Sequence, residues 1–182
     1  NLNSLWLYSN KFNGTLPSTL GKLRNLQYFY AFSNDFSGTL PETLGCLTNL
    51  QMLYLYSNRF NGTFPLQLCL MIRIQELYLS SNLFSGTVPR EIGSLVDIES
   101  LNLYSNSFTG TLPDTLGCLT NIQLMYLYSN SFSGQLPVAL VNLTNLYSLW
   151  LYHNSITGTI PPEFSSLTNL GSLYLYSNLM TG

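Results

Sequence analysis

Charge is what this sequence has least of. Of its 182 residues only 8% are charged, with 6 Lys or Arg against 8 Asp or Glu, for a net charge of −2. Six basic residues spread over the whole length form no cationic stripe, so nucleic acid is not an expected partner. Disordered chains are highly charged and poor in apolar residues, and a 46% hydrophobic content excludes that class. Long apolar runs are missing as well. The longest, around Leu68 to Ile72, falls far short of the ~18 residues that cross a bilayer, so no membrane insertion by this chain is expected. Histidine occurs once, at His153, and cysteine three times, at Cys46, Cys69 and Cys118. Metal sites need clustered ligands, and nucleophilic sites need a base with an orienting partner. No catalytic residue, metal or cofactor is therefore expected, and the chain is not read as an enzyme. The chain starts at Asn1 in mid-pattern, so the lack of a leader peptide says nothing of its compartment.

What the sequence has in abundance is repetition. Asn10, Asn34, Asn58, Asn82, Asn106, Asn130, Asn154 and Asn178 recur with a spacing of 24 and no slip. Glycine recurs in step from Gly14 to Gly182, and proline from Pro17 to Pro161. Seven full units of 24 span residues 2–169 and a partial unit spans 170–182, which leaves no room for a second domain. Each unit reads L-x-x-L-x-L-x-x-N-x-F-x-G-T-L-P-x-x-L-x-x-L-x-x, as in Ile98, Leu101, Leu103, Asn106, Phe108, Gly110, Leu112, Pro113, Leu116 and Leu119.

The alternating L-x-L segment predicts a short strand with its leucines inward. A return path this long cannot make a hairpin, so successive strands are expected to stack in parallel, ~4.8 Å apart. The recurring Asn sits where the strand ends, placed to bond backbone groups that the bend strips from the ladder. Phe12, Phe36, Phe60, Phe84, Phe108 and Phe132, continued by Ile156 and Met180, are expected to form a core spine. The segment around the glycine allows a second extended stretch that proline then stops. The closing x-x-L-x-x-L is too short for a full helix and predicts a 3₁₀-like turn.

The unit resembles the leucine-rich repeat, in its plant-type 24-residue form with an x-G-x-[IL]-P segment, although L-Y-S-N replaces the commoner L-S-x-N. The resemblance covers the whole chain. It implies an α/β solenoid: a right-handed superhelix with a parallel concave β-sheet and a mostly irregular or 3₁₀ convex side. It also implies an extracellular recognition module, as in receptor ectodomains and cell-wall inhibitor proteins. Arrays of this type usually carry cysteine-paired caps and none is found, so the chain is expected to be an excerpt of a longer array or a piece of a continuous assembly. Cys46 and Cys118 share a slot three coils apart, about 14 Å and beyond disulfide reach. A Cys46–Cys69 pair is possible, but the reading preferred is three buried, inert thiols.

Residues alternating with the inward leucines form the concave face. One column holds Trp6, Tyr30, Tyr54, Tyr78, Asn102, Tyr126, Trp150 and Tyr174, and the next holds Tyr8, Phe32, Tyr56, Ser80, Tyr104, Tyr128, Tyr152 and Tyr176. Most of the aromatic residues of the chain thus fall in two adjacent stripes along a face about 34 Å long. Tyr and Trp offer amphipathic contact area at low entropic cost. These residues, with His153 in the neighbouring serine column, are the candidate ligand-binding set. A protein, an uncharged extended peptide or a neutral polysaccharide stacking on ring faces would suit it. The other explanation of the stripes is a self-stacking ladder, since like side chains on adjacent strands stabilise one another. Near-identical, charge-poor coils also fit a structural or adhesive element with end-to-end self-association.

Small polar residues flank each glycine (Asn13/Thr15, Ser37/Thr39, Thr109/Thr111 and their equivalents), a regular array that makes ice binding a minor alternative. Three N-x-T sequons, at Asn13, Asn61 and Asn142, are candidate glycosylation sites off the concave face. With the plant-type repeat they favour the secretory pathway and an extracellular or cell-surface location.

Overall fold

A computed structural model describes residues 1–182. The L-x-L segments form eight three-residue strands, from Ser4–Trp6 through Glu76–Tyr78 and Ser100–Asn102 to Ser172–Tyr174, paired in parallel in chain order. Leu53, Leu77, Leu101, Met125 and Leu149 point inward at the same rung and are fully shielded from solvent. Register is strict along this sheet: Leu77 lies beside Leu101 and Tyr78 beside Asn102. An even in–out alternation leaves no other pairing that buries the leucines.

The segments around the glycines build a second parallel sheet of eight strands, from Asn13–Gly14 to Leu179–Met180. Here the register is staggered, so that Phe108 lies beside Gly86 and Thr109 beside Thr87. Gly110, at φ +76, adopts a backbone conformation that only glycine takes freely, and a Cβ there would lie 2.7 Å from the Thr87 Cγ2 of the preceding coil. Each coil then closes through a five-residue 3₁₀ turn such as Asp114–Cys118, entered from a proline whose fixed φ suits that entry and whose carbonyl accepts the first turn bond (Pro113 O from Leu116 N, 3.0 Å). On this convex side backbones approach closely, since a Cβ on Gly117 would sit 2.3 Å from the Ala139 carbonyl oxygen.

Between the sheets and the turns runs one apolar core. The phenylalanine spine is continuous, with successive rings of Phe12, Phe36, Phe60, Phe84, Phe108 and Phe132 stacked at 5.8–6.5 Å. Phe60 to Phe132 are fully buried, whereas Phe12, on the first coil, is 44% exposed.

The asparagine column is the staple of the stack. In Asn82 the side-chain amide donates to Leu79 O and Ser80 O of its own coil and to Leu55 O of the coil before, at 3.0–3.2 Å. Its side-chain carbonyl accepts from Phe60 N at 3.0 Å, again in the preceding coil. The serine just before each asparagine, and His153 in its place, adopts a left-handed backbone with φ of 52–56°. That conformation is strained for an L-residue and turns the chain out of the strand. A second staple lies on the convex side, where Asn49, Asn121, Asn145 and Asn169 donate to carbonyls one coil back (Arg24, Val96, Thr120 and Thr144). The period of 24 contains this column too, but Arg73 and Asp97 interrupt it, and an Asn among variable polar neighbours carries no distinctive pattern.

The expectation of three buried thiols fails at two positions. Cys46 and Cys118 are exposed, because their slot ends a 3₁₀ turn and points to solvent. Cys69 takes the place that glycine holds in other coils and is buried. Burial and then the nearby Glu91 push its thiol up to about 11. All three are unpaired.

Asn82→Ala should lower stability by about 3 kcal/mol, since it orphans several buried backbone groups at ~1–3 kcal/mol each. Asn10→Ala should cost under about 1 kcal/mol, because the exposed Asn10 amide bonds only Leu7 O and Tyr8 O of its own coil. Urea unfolding midpoints read the difference, and equal losses would contradict the inter-coil role.

Candidate functional site

Every candidate aromatic residue lies on the concave sheet or on its continuation, where the strand alternation and strict register place it. The two stripes are not laid flat. Tyr30, Tyr54 and Tyr78 stack face to face with centroids 4.4–4.5 Å apart and planes within 16°. Tyr8, Phe32 and Tyr56 do the same at 4.4–4.6 Å, as do Tyr104, Tyr128, Tyr152 and Tyr176 at 4.3–4.5 Å. Tyr126 meets Trp150 at 4.3 Å, Trp150 stacks on Tyr174 at 5.2 Å, and Trp6 on Tyr30 at 5.9 Å. Coil spacing and ring stacking distance nearly coincide, so the self-stacking expectation is met. The consequence is that ring faces are spent on one another, and what meets solvent is a row of ring edges and phenol hydroxyls. Flat stacking of sugar rings, as anticipated for a polysaccharide, is offered only where the ladder is interrupted or ends.

Two interruptions lie side by side. Ser80 is almost wholly buried, covered over by its neighbours. Asn102 is half-buried and separates Tyr78, stacked on Tyr54, from Tyr126, stacked on Trp150. His153 is exposed at the margin of the second stripe, edge-on to Tyr152 and Tyr176 at 5.3 and 5.5 Å.

The sequence reading missed a third concave column, one step earlier in the same alternation: Ser4, Tyr28, Met52, Glu76, Ser100, Leu124, Ser148 and Ser172. The period-2 signal was present, but without rings in step the column did not stand out. Glu76 is the one charged side chain among the outward positions of the eight concave strands. Its carboxylate accepts a hydrogen bond from the Tyr54 hydroxyl, and the Tyr30 hydroxyl donates to Met52 Sδ at 3.1 Å. Asn102 Oδ1 and Trp150 Nε1 on this face are buried with no hydrogen-bond partner in the protein, while the Ser100 hydroxyl lies within reach of the Tyr78 phenol. Each of the two unpartnered atoms costs ~1–3 kcal/mol where it stays unsatisfied.

Burial, reinforced by the Glu76 carboxylate, holds the Tyr54 phenol far above its ordinary range and pushes Tyr78 up to about 12. Tyr30 is raised by burial and then by Glu76, and Tyr56 by burial and then by Tyr104. Tyr128 is raised by burial and then by the phenols of Tyr104 and Tyr152.

Away from this face, the glycine-flanking threonines Thr15, Thr39, Thr63, Thr87, Thr111 and Thr159 are exposed on the second sheet, in a column broken by Gln135. The Arg59–Asp35 pair (3.0 Å) and the exposed Leu83 stand beside them. Asn13, Asn61 and Asn142 are exposed and lie off the concave sheet, on the second sheet and at the end of a 3₁₀ turn. Leu66, Leu70 and Ile72 form an exposed apolar patch on the convex turns. No helix is long and apolar enough to cross a membrane.

The raised phenols give a sign to the alkaline behaviour. Between pH 10, where free tyrosine ionises, and about 12, the folded state keeps a proton on Tyr78 that the unfolded chain has released. Stability should therefore fall as pH rises through that window. Absorbance at 295 nm should show phenolate appearing together with loss of the far-ultraviolet signal. Phenolate appearing at pH 10 with that signal intact would contradict the shielded ladder.

A Leucine Rich Repeat family profile matches residues 1–23, 25–47, 49–71, 73–95, 97–119 and 145–167. No curated protein sequence matches the chain. Among solved structures it is similar to the ectodomain of the membrane receptor kinase GASSHO1/SCHENGEN3 from Arabidopsis thaliana, in complex with CASPARIAN STRIP INTEGRITY FACTOR 2 (35% identity, TM-score 0.96, 98% of this chain and 22% of that one). It is similar to the plant peptide hormone receptor RGFR1 in complex with RGF2 (34% identity, TM-score 0.98, 100% and 29%). It is also similar to an LRR protein of Leptospira interrogans, LIC12759 (35% identity, TM-score 0.84, 100% and 45%). The chain thus spans less than half the length of each of these. Six profile matches, two parallel eight-stranded sheets and the 24-residue period lead to one conclusion: the chain belongs to the leucine-rich-repeat proteins.

Proposed function

We propose that this chain is an extracellular recognition module that binds an extended, largely uncharged peptide segment along its concave face. The observation that carries the reading is the register-locked row of ring edges and phenol hydroxyls along that face, which a peptide can meet by apolar packing and hydrogen bonding. Ring edges and hydroxyls suit a partner rich in hydrogen-bonding groups better than one that needs flat stacking. Two of the structural neighbours are plant receptors with bound partners, one described as a peptide hormone receptor. An extracellular or cell-surface location accords with these neighbours and with the exposed sequons Asn13, Asn61 and Asn142.

Peptides captured by the immobilised chain from a random phage library provide a probe. Replacing Tyr126, Tyr128, Trp150 and Tyr152 together by Ser should weaken a captured peptide by at least about a hundredfold, or ~2.8 kcal/mol. The unfolding midpoint should drop, since each lost ring pair costs ~0.5–1.5 kcal/mol, while the far-ultraviolet spectrum of the folded variant stays unchanged. Unaltered affinity would remove the concave-face reading. Light scattering separates it from the structural alternative: concentration-dependent end-to-end polymers would favour an adhesive array, a peptide-binding monomer the recognition module. Ice binding rests on the exposed threonine column, and an unchanged ice-recrystallisation rate in the presence of the chain would exclude it.

A further inference from the structure

We propose that a groove on the convex side, between the turns of the third and fourth coils, binds one uncharged, mainly aliphatic small molecule. The site lies away from the concave face and does not depend on what binds there. It begins with a single replacement. Successive 3₁₀ turns pack so closely that a Cβ on Gly45 would lie 2.8 Å from the Gln67 carbonyl oxygen, and one on Gly93 2.7 Å from that of Thr115. In the turn Leu66–Leu70 the same position is Cys69, which carries both a Cβ and a sulfur. Packed atoms do not approach so closely, so the next turn, Arg90–Ser94, has to stand further off. Between these two turns lies a groove of about 840 Å³, the largest in the molecule.

The lining of the groove sets the class of ligand. Leu66, Leu70 and Ile72 are 55–60% exposed along one wall. The equivalent positions are Glu42, Cys46 and Thr48 in the coil before, and Arg90, Ser94 and Val96 in the coil after, so a wholly aliphatic wall is particular to this coil. Val141 replaces the glycine in the sixth coil too, but there Asn142 and Thr144 hold two of the three positions. The opposite wall offsets its own charges, with Arg90 Nε and Glu91 Oε1 3.8 Å apart. Its hydroxyls are engaged: Ser94 Oγ donates to the Cys69 and Glu91 carbonyls at 2.7 and 2.9 Å, and Thr115 Oγ1 to that of Arg90 at 2.6 Å. A charged ligand therefore finds no unopposed partner, whereas an apolar one gains by leaving water for the aliphatic wall. Size separates a small molecule from a protein partner. Small-molecule sites occupy ~300–1,000 Å³, and this groove falls within that range. Three half-exposed aliphatic side chains present on the order of 300 Å², well short of the ~800 Å² a side that a stable protein interface buries.

Nile red, an uncharged fluorescent dye, serves as the probe on the purified chain. It should bind saturably, one per chain, and more tightly than the anionic dye anilinonaphthalene sulfonate. Two variants use residues that other coils already carry at these positions. Cys69→Gly lets the turns close, and Leu70→Ser with Ile72→Thr makes the wall polar. Each should weaken Nile red by at least about tenfold, because the burial of several methylene groups is lost. Leu83→Ser, which removes an exposed leucine from the second sheet, should leave binding unchanged. Far-ultraviolet spectra check folding, and either folded variant alone decides the outcome. Affinity unaltered in the folded variants would overturn the site, as would Nile red that fails to saturate. Tighter binding of the anionic dye would overturn the class of ligand. A dimer in light scattering that dissociates on Leu70→Ser with Ile72→Thr would also overturn the site, by making a second copy its occupant.

Discussion

Two hydrogen bonds between each asparagine after Asn10 and the coil before it, one donated by the amide and one accepted by its carbonyl, hold this architecture together. A strand three residues long cannot fold alone, and the bend at its end strips several backbone groups of partners. The asparagine amide and carbonyl restore them, and because half of those groups belong to the preceding coil, satisfying one bend fixes the next. Asn82 does this while buried, and Asn34, Asn58, Asn106, Asn130, Asn154 and Asn178 repeat it. The left-handed residue before each one, serine or His153, is tolerated only because this network over-determines the turn. The convex asparagines Asn49, Asn121, Asn145 and Asn169 apply the same device to the other side of the coil, so those units are pinned at two points with the apolar core between them.

Once coils are pinned in register, every position of the repeat becomes a column, and the energetics become those of neighbours one coil apart. This is why tyrosine and tryptophan in the outward positions stack so regularly: the strand spacing delivers rings at close to their preferred separation without further adjustment. The same regularity makes exceptions meaningful. A serine or asparagine on an ordinary protein surface is unremarked, whereas Ser80 and Asn102 interrupt a continuous stack, and Glu76 is a single charge in an otherwise neutral field. Recognition in such an array lies in its departures from the consensus, since the consensus itself is consumed by folding.

The stacked faces also decide what kind of partner the surface suits. A pavement of upturned rings would favour sugars; a row of ring edges carrying hydroxyls is the basis on which a hydrogen-bonding chain is proposed as the partner. The high ionisation range of Tyr54 and Tyr78 follows from the same packing, since a phenolate there would lie between rings and beside a carboxylate.

The period, the inward leucines, the phenylalanine spine, the scaffold asparagines and the two aromatic columns were legible in the sequence, because a strict repeat turns one-dimensional spacing into position. Three matters were settled only by tertiary structure. The stagger of the second sheet, with Phe108 beside Gly86, comes from how each coil leans on the last, which spacing alone does not encode. The exposure of Cys46 and Cys118 depends on where a 3₁₀ turn ends. The direction in which the rings face, and the bond from the Tyr54 hydroxyl to Glu76, depend on how side chains from adjacent coils pack against one another. A repeat tells which residues share a column, and only packing decides what that column presents to a partner.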